Sequence, residues 1–297
     1  MHKNGKWARE ILDLQEPDGK WGCFHSLAQS YGAPKTTEQA LRRLKRLGFT
    51  IEDECIRRAV SYMDDCLTRK NNIPDCREKF HDWDVFTDLI LATGIRQFTK
   101  DNANANAVAE KWAAVITAGF EGGGADPEAC GSHGIYRRSG VCNQARYEEA
   151  YRDILKPNGG VLLGFANYYH VSLLAGCLGE EAESAFLENI ITGERGIYYI
   201  YEGPLTILPA EFQSKAASRY LAALELLADY RQAGDMLTSA VDWIMENRMP
   251  DGRWDMGKSV NDKVYFPLSD DWRKAETRTA DCTERIGALL GKLIQNR

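Results

Sequence analysis

The chain has 297 residues and a net charge of −6, from 37 basic and 43 acidic side chains. An acidic balance without a basic stripe argues against nucleic acid as a partner, and no apolar run reaches the roughly 18 residues that a membrane span needs. At 44% hydrophobic and 27% charged the composition is that of a globular protein, and the opening MHKNGKWARE lacks an apolar signal core, which predicts a cytoplasmic protein.

Helical signals then follow one another with almost no strand alternation. The first covers Trp7 to Gln15. TTEQALRRLKRLGFT opens on a capping box, Thr36 with Gln39, and stops at Gly48. Thr50 opens IEDECIRRAVSYMDDCL, whose Glu52 and Asp53 suit the positive end of a helix dipole. DWDVFTDLILATGIRQF, NAVAEKWAAVITAGF, NQARYEEAYRDIL, ANYYHVSLLAGCL and EEAESAFLENII come next. FQSKAASRYLAALELLADY, DMLTSAVDWIMENRM and TADCTERIGALLGKLI complete a set of about eleven.

RRLKRLG, NQARYEEAYRDIL and EEAESAFLENII each carry one apolar stripe and one charged face, which predicts outer positions. DVFTDLILATGI, ANYYHVSLLAGCL and SRYLAALELL are apolar nearly all round, which predicts burial on every side. Interleaved outer and inner helices predict an all-α fold, an α/α toroid of about five to six helical pairs, as one domain over residues 1–297. Residues 119–142 and 192–210 have no helical period. Loops of that length in a compact domain are functional, lid-like or disordered, and the Tyr-rich second one argues against disorder. The eight cysteines are scattered without a CxxC pair, which predicts reduced thiols packed as small apolar groups.

The stretch LQEPDGKWG (Leu14 to Gly22) returns near the other end as NRMPDGRWDMG (Asn247 to Gly257). Pro sets φ, Asp bonds its own backbone, Gly accepts positive φ, and the following Trp anchors the turn. Gln15, Gly19 and Trp21 resemble the core of the QW repeat of squalene and oxidosqualene cyclases and protein prenyltransferase β subunits. In the second copy Arg248 stands in the Gln position before Gly252 and Trp254, and KPNGG (Lys156 to Gly160) resembles a degraded third copy without its Trp. The resemblance implies an α/α toroid whose helix pairs are joined by such turns, with a central cavity for an isoprenoid. It also implies departures. The acidic motif of protonating cyclases is met by Asp82 and Asp84 but broken at Val85, and the zinc set of prenyltransferases is not reproduced around Asp281 and Cys282.

Read from the residues, HDWDVFTDLILATGI places Asp84 and Asp88 one helical turn apart. Two such carboxylates share a proton, face a cation or bind a metal, and a shared proton would make a general acid; the other reading is an ion pair with an arginine such as Arg219. His81 and Trp83 stand at the mouth of that helix as candidate substrate-binding groups. NYYHVS offers His170 as an acid or base near neutrality and Tyr169 as a pocket wall. Arg219, inside an apolar run, needs an anionic partner: Asp84, Asp88, Glu225, or a ligand's phosphate or carboxylate. Asp281 and Arg285 pose the same question. Cys130, His133 and Cys142 offer three zinc ligand types without a fourth. No metal or cofactor is therefore predicted, magnesium and zinc having no supporting motif.

These residues and the resemblance together imply an enzyme on an isoprenoid or similar apolar small molecule, with Asp84, Asp88 and His170 catalytic and His81, Trp83, Tyr169 and Arg219 binding substrate. The alternatives are a carbohydrate-active hydrolase or lyase on the same type of toroid, and a non-catalytic ligand-binding pseudo-enzyme. The expected partner is a small molecule in the central cavity, with a monomer or homodimer both open.

Overall fold

The computed structural model describes residues 2–25, 35–121 and 140–296. The chain is all-α: among the described residues there are twelve α-helices, a π-helical turn and a 3-10 turn, and β pairing is limited to three isolated bridges. The helices are α1 (Lys6–Leu12), α2 (Thr37–Arg46), α3 (Glu54–Leu67), α4 (Trp83–Arg96), α5 (Ala103–Phe120) and α6 (Gln144–Ala150). They continue with α7 (Tyr168–Leu174), α8 (Glu180–Thr192), α9 (Lys215–Leu227), α10 (Ala233–Met236), α11 (Thr238–Glu246) and α12 (Ala275–Gln295).

Local chemistry sets most of the boundaries. Thr36 and Gln39 form the capping box on α2, each side chain bonding the other's backbone N–H. Asp82 caps α4 by accepting from Val85 N at 2.9 Å. Asp53 is the residue before α3, so that helix starts later than Thr50. Its carboxylate instead turns back to Thr50 N at 2.7 Å and to Lys3 at 2.6 Å. The run predicted as one helix over DMLTSAVDWIMENRM is divided at Leu237, leaving the short α10 before α11. Similarly, α6 passes into a π-helical turn over Tyr151–Leu155.

The two Pro-Asp-Gly turns carry the same bonds. Gln15 Nε2 donates to Gly19 O at 2.9 Å, and Arg248 Nε donates to Gly252 O at 2.7 Å. Gly19 and Gly252 sit at φ +101° and +86°, a region that costs an L side chain strain. Each indole then reaches back ten residues: Trp21 Nε1 to Ile11 O and Trp254 Nε1 to Ile244 O, both at 2.8 Å. Gln15 also spans to α3, donating to Cys55 O at 2.8 Å. The KPNGG turn docks elsewhere. Asn158 N donates to Asp82 Oδ2 at 2.7 Å, and a Cβ on Gly160 would stand 2.7 Å from Asp82 N.

Helix order decides which side chains meet in the interior. α3 packs on α4, α4 on α5 and α7, α5 on α7 and α8, α7 on α9, and α1 on α2. Within residues 192–210 the chain turns back on itself at the Ile197–Tyr201 bridge and meets the start of α7 through the Asn167–Tyr198 bridge. Gly196 makes this possible, since a Cβ there would lie 2.3 Å from Gly203 O.

Candidate functional site

A cavity of 280 Å³ is walled by residues of α2, α7, α9 and α12, by Gln97 at the end of α4, and by two loop segments carrying Ile200 and Val264, Tyr265 and Leu268. It opens onto a wider lobe of 790 Å³, with Lys45, Gln97, Ser172, Asp229 and Lys292 on the walls of both. The contributing helices are α2, α7, α9 and α12, with Gln97 as the residue that ends α4; among the described residues no other helix reaches the narrower lobe.

The wall of that lobe carries two kinds of side chain. Ile200, Ala222, Leu226, Val264 and Leu289 are its apolar contributors. Arg42, Lys45, Arg46, Arg285 and Lys292 face Glu225, Asp229 and Glu284, five cations against three carboxylates. A chain that is negative overall thus turns a positive surface inward, where low-dielectric walls concentrate the field.

Glu225 of α9 is held between Arg285 of α12, at 2.7 Å, and Arg46 of α2. Burial by itself would raise this carboxyl, but the two guanidiniums override it and hold it down at about 2. Arg285 also donates to Ser218 Oγ and O, each at 2.8 Å. Both guanidiniums lie over the Tyr265 ring, at 5.2 and 5.1 Å. Asp229 pairs with Lys292 at 2.5 Å and Glu284 with His2 at 3.2 Å. Lys45 has no ion pair among the described residues. Enclosure lowers its ammonium, Asp229 opposes this, and Lys292, Arg46 and Lys100 lower it further, to about 8.

α2 carries three of these cations, which corrects the prediction that RRLKRLG faces outward. Leu41, Leu44 and Leu47 form its buried stripe, and its charged side meets the cavity. Arg42 continues inward: it stacks 4.4 Å over Tyr168, donates to Tyr265 Oη at 3.2 Å and pairs with Glu38 at 3.5 Å. Glu38 in turn accepts from Tyr169 Oη at 3.0 Å.

Tyr169 leads to an aromatic cluster at the starts of α4 and α7, and here the structure brings together three residues singled out from sequence. Phe86 is the hub, 6.3 Å from Tyr169, 6.2 Å from His81 and 6.2 Å from Trp83. His25 joins at 5.3 Å from Phe86, and Tyr199, at φ +71°, at 5.7 Å from Tyr169. His81 Nδ1 pairs with Glu78 at 3.0 Å. Burial, then the Glu38 carboxylate, pushes the Tyr169 phenol well above its ordinary range, so it stays protonated.

The other candidates lie apart. Asp84 is exposed and Asp88 half-buried, and both face Arg69, at 3.9 and 2.7 Å. The closer contact is an ion pair whose angle falls short of a hydrogen bond. Burial raises the Asp88 carboxyl, Arg69 opposes it and Asp84 adds to the rise. Arg219 is exposed, which corrects its predicted place inside the core. The partners proposed for it are taken, Asp84 and Asp88 by Arg69 and Glu225 by Arg46 and Arg285.

His170 is fully buried against Trp112, ring centroids 4.3 Å apart. Asn167 Oδ1 accepts from Tyr169 N, His170 N and His170 Nδ1, which assigns the ring proton to Nδ1 and leaves Nε2 bare and without a partner. Burial lowers this imidazole to about 3, so it is neutral at physiological pH. Cys130 and His133 lie outside the described residues.

Sequence reasoning missed Lys45, Arg46 and Lys292 and weighed Arg285 only in passing. The available signal was four cations among residues 42–46 of a helix set among apolar neighbours. Among the described residues no three His, Cys, Asp or Glu side chains converge as a metal site. No protein-family model matches the chain, and neither does any curated protein or solved structure.

Proposed function

We propose that this chain is a small α/α toroid whose central cavity binds a small molecule with an anionic head and an apolar portion, an isoprenoid phosphate or diphosphate being the class that matches best. The supporting observation is the mixed cavity wall, where the cations Arg42, Lys45, Arg46, Arg285 and Lys292 line the same space as the apolar Ile200, Leu226, Val264 and Leu289. Pockets of this size with mostly apolar walls and a few convergent polar groups are the usual sites for such ligands. The two QW-like turns support the toroid itself.

The reading is one of binding, with no protonation step. A proton donor for an alkene needs a carboxyl raised toward neutrality, whereas Glu225 is held low and Asp229 has a cationic partner in Lys292. Asp84, Asp88 and His170 do not line either lobe, and no role in ligand chemistry is assigned to them.

A thermal-shift series tests this: prenyl diphosphates, inorganic diphosphate, neutral prenyl alcohols, and neutral and acidic oligosaccharides, each with and without magnesium or zinc. A ligand at about 100 times its Kd stabilises by roughly 2.7 kcal/mol. The expected order is prenyl diphosphate above diphosphate above alcohol, reduced in Arg46→Ala. Stabilisation by neutral sugars alone would overturn the reading.

A further inference from the structure

Lys45 is the amine at the crossing point of the cavity. Its side chain lines both lobes, keeps contact with solvent, and has no carboxylate within ion-pairing distance among the described residues. Two of the nearby acids are engaged, Asp229 by Lys292 at 2.5 Å and Glu225 by Arg46 and Arg285. From the facing elements come Arg46 on its own helix, Lys100 after α4, Glu110 of α5, Cys177 after α7, and Asp229 with Lys292. We infer that Lys45 is a nucleophilic amine that captures an anionic aldehyde or ketone as an imine inside the cavity.

An amine crowded by other cations is deprotonated more readily and becomes the attacking group, the route by which lysines form Schiff bases. The same cations hold an anionic carbonyl compound in place. The Lys45 nitrogen adds to the carbonyl carbon, a C–N bond forms, and the carbonyl oxygen takes a proton from nitrogen. The C–O bond then breaks, the second nitrogen proton leaves with the oxygen as water, and C=N remains. Gln97 and Ser172 are the uncharged polar side chains on the walls of both lobes. Enclosure and the neighbouring cations lower its ammonium, so more of Lys45 is free amine at pH 8 than the about 0.4% of an ordinary lysine.

The inference rests on the anion-binding reading, and the test separates the two. The intact protein is treated with glyoxylate and cyanoborohydride at pH 8, with propanal as a neutral comparator. Sites are mapped by mass spectrometry, and inorganic diphosphate binding is measured in parallel. The expected result is one carboxymethyl group on Lys45, formed at least tenfold faster than on any other lysine and than the propanal adduct, and suppressed by diphosphate. Lys45→Arg, which keeps the charge, should remove it; Lys100→Gln should shift the midpoint of its pH profile upward. Diphosphate binding without a Lys45 preference overturns the imine alone. A Lys45 adduct that diphosphate does not suppress and that forms as fast with propanal overturns the anionic substrate class. Loss of both overturns the cavity reading as well.

Discussion

Arg285 donates from Nε to Glu225 Oε1 at 2.7 Å, and with Arg46 on the other side the carboxylate ties α2, α9 and α12 together around the cavity. Removing one member of such a buried set leaves uncompensated charge and costs about 3–5 kcal/mol. Glu225→Gln is expected to lose that much at pH 7. Because the folded carboxyl sits at about 2 and the ordinary value is 4.5, its contribution is fully present above about 4.5 and declines as pH falls toward 2. Urea melts at pH 7 and pH 3 should therefore show a smaller deficit at the lower pH. An equal deficit at both would mean the carboxylate is not held by the arginines.

The twin turns predict matched losses. Trp21 and Trp254 are both buried and both bond a carbonyl ten residues upstream. Trp21→Ala and Trp254→Ala should each cost about 3–5 kcal/mol. Arg248→Gln should cost much less, since a Gln in the first copy makes the bond to the turn carbonyl at 2.9 Å. Chemical denaturation of the three variants checks this, and a large loss in Arg248→Gln would show that its stacking over Trp254, at 5.3 Å, is what matters.

His170 makes the fold acid-sensitive. The folded imidazole is lowered to about 3 from an ordinary 6.5. The unfolded chain thus takes the proton first, and stability falls as pH drops below about 6.5, levelling off near 3. His170→Gln should be less stable at pH 7.5 by about 1–3 kcal/mol, through lost packing and a disturbed hydrogen bond. Its melting temperature should nevertheless fall less between pH 6.5 and 4.5 than the unaltered protein's. A parallel decline in both would assign the acid sensitivity to other groups.

Asp84 and Asp88 are expected to be structural. Asp84→Asn should leave any ligand-induced thermal shift unchanged, whereas Arg46→Ala should diminish it. Arg69→Ala should raise the Asp88 carboxyl further, readable as a shifted carboxyl resonance in an NMR pH titration. Loss of ligand stabilisation in Asp84→Asn would return this pair to the site.

Of the two segments without helical period, 119–142 lies for the most part outside the described residues. Residues 192–210 are part of the cavity wall through Ile200, a role that composition alone could suggest only as functional. The cluster of Tyr169, His81 and Trp83 was partly legible, because each sits beside a helix start, but its hub Phe86 and its partner Glu38 come from different helices.

What the sequence determined by itself is what short-range chemistry controls. The helices, the Thr36–Gln39 box, the Asp82 cap and both Pro-Asp-Gly turns depend on neighbours within about four residues, or on one carbonyl a helix away. The destination of the polar faces was decided only by tertiary structure. An amphipathic stripe states which side of a helix leaves water, and is silent on whether the opposite side meets bulk solvent or water inside a cavity. That is why the pattern of α2 predicts an outer helix although Arg42, Lys45 and Arg46 line the cavity. It is also why Arg219 and Arg285, each a lone guanidinium in an apolar run, ended on opposite sides of the wall: helix phase and neighbours, set by the packing of α9 and α12, chose between them.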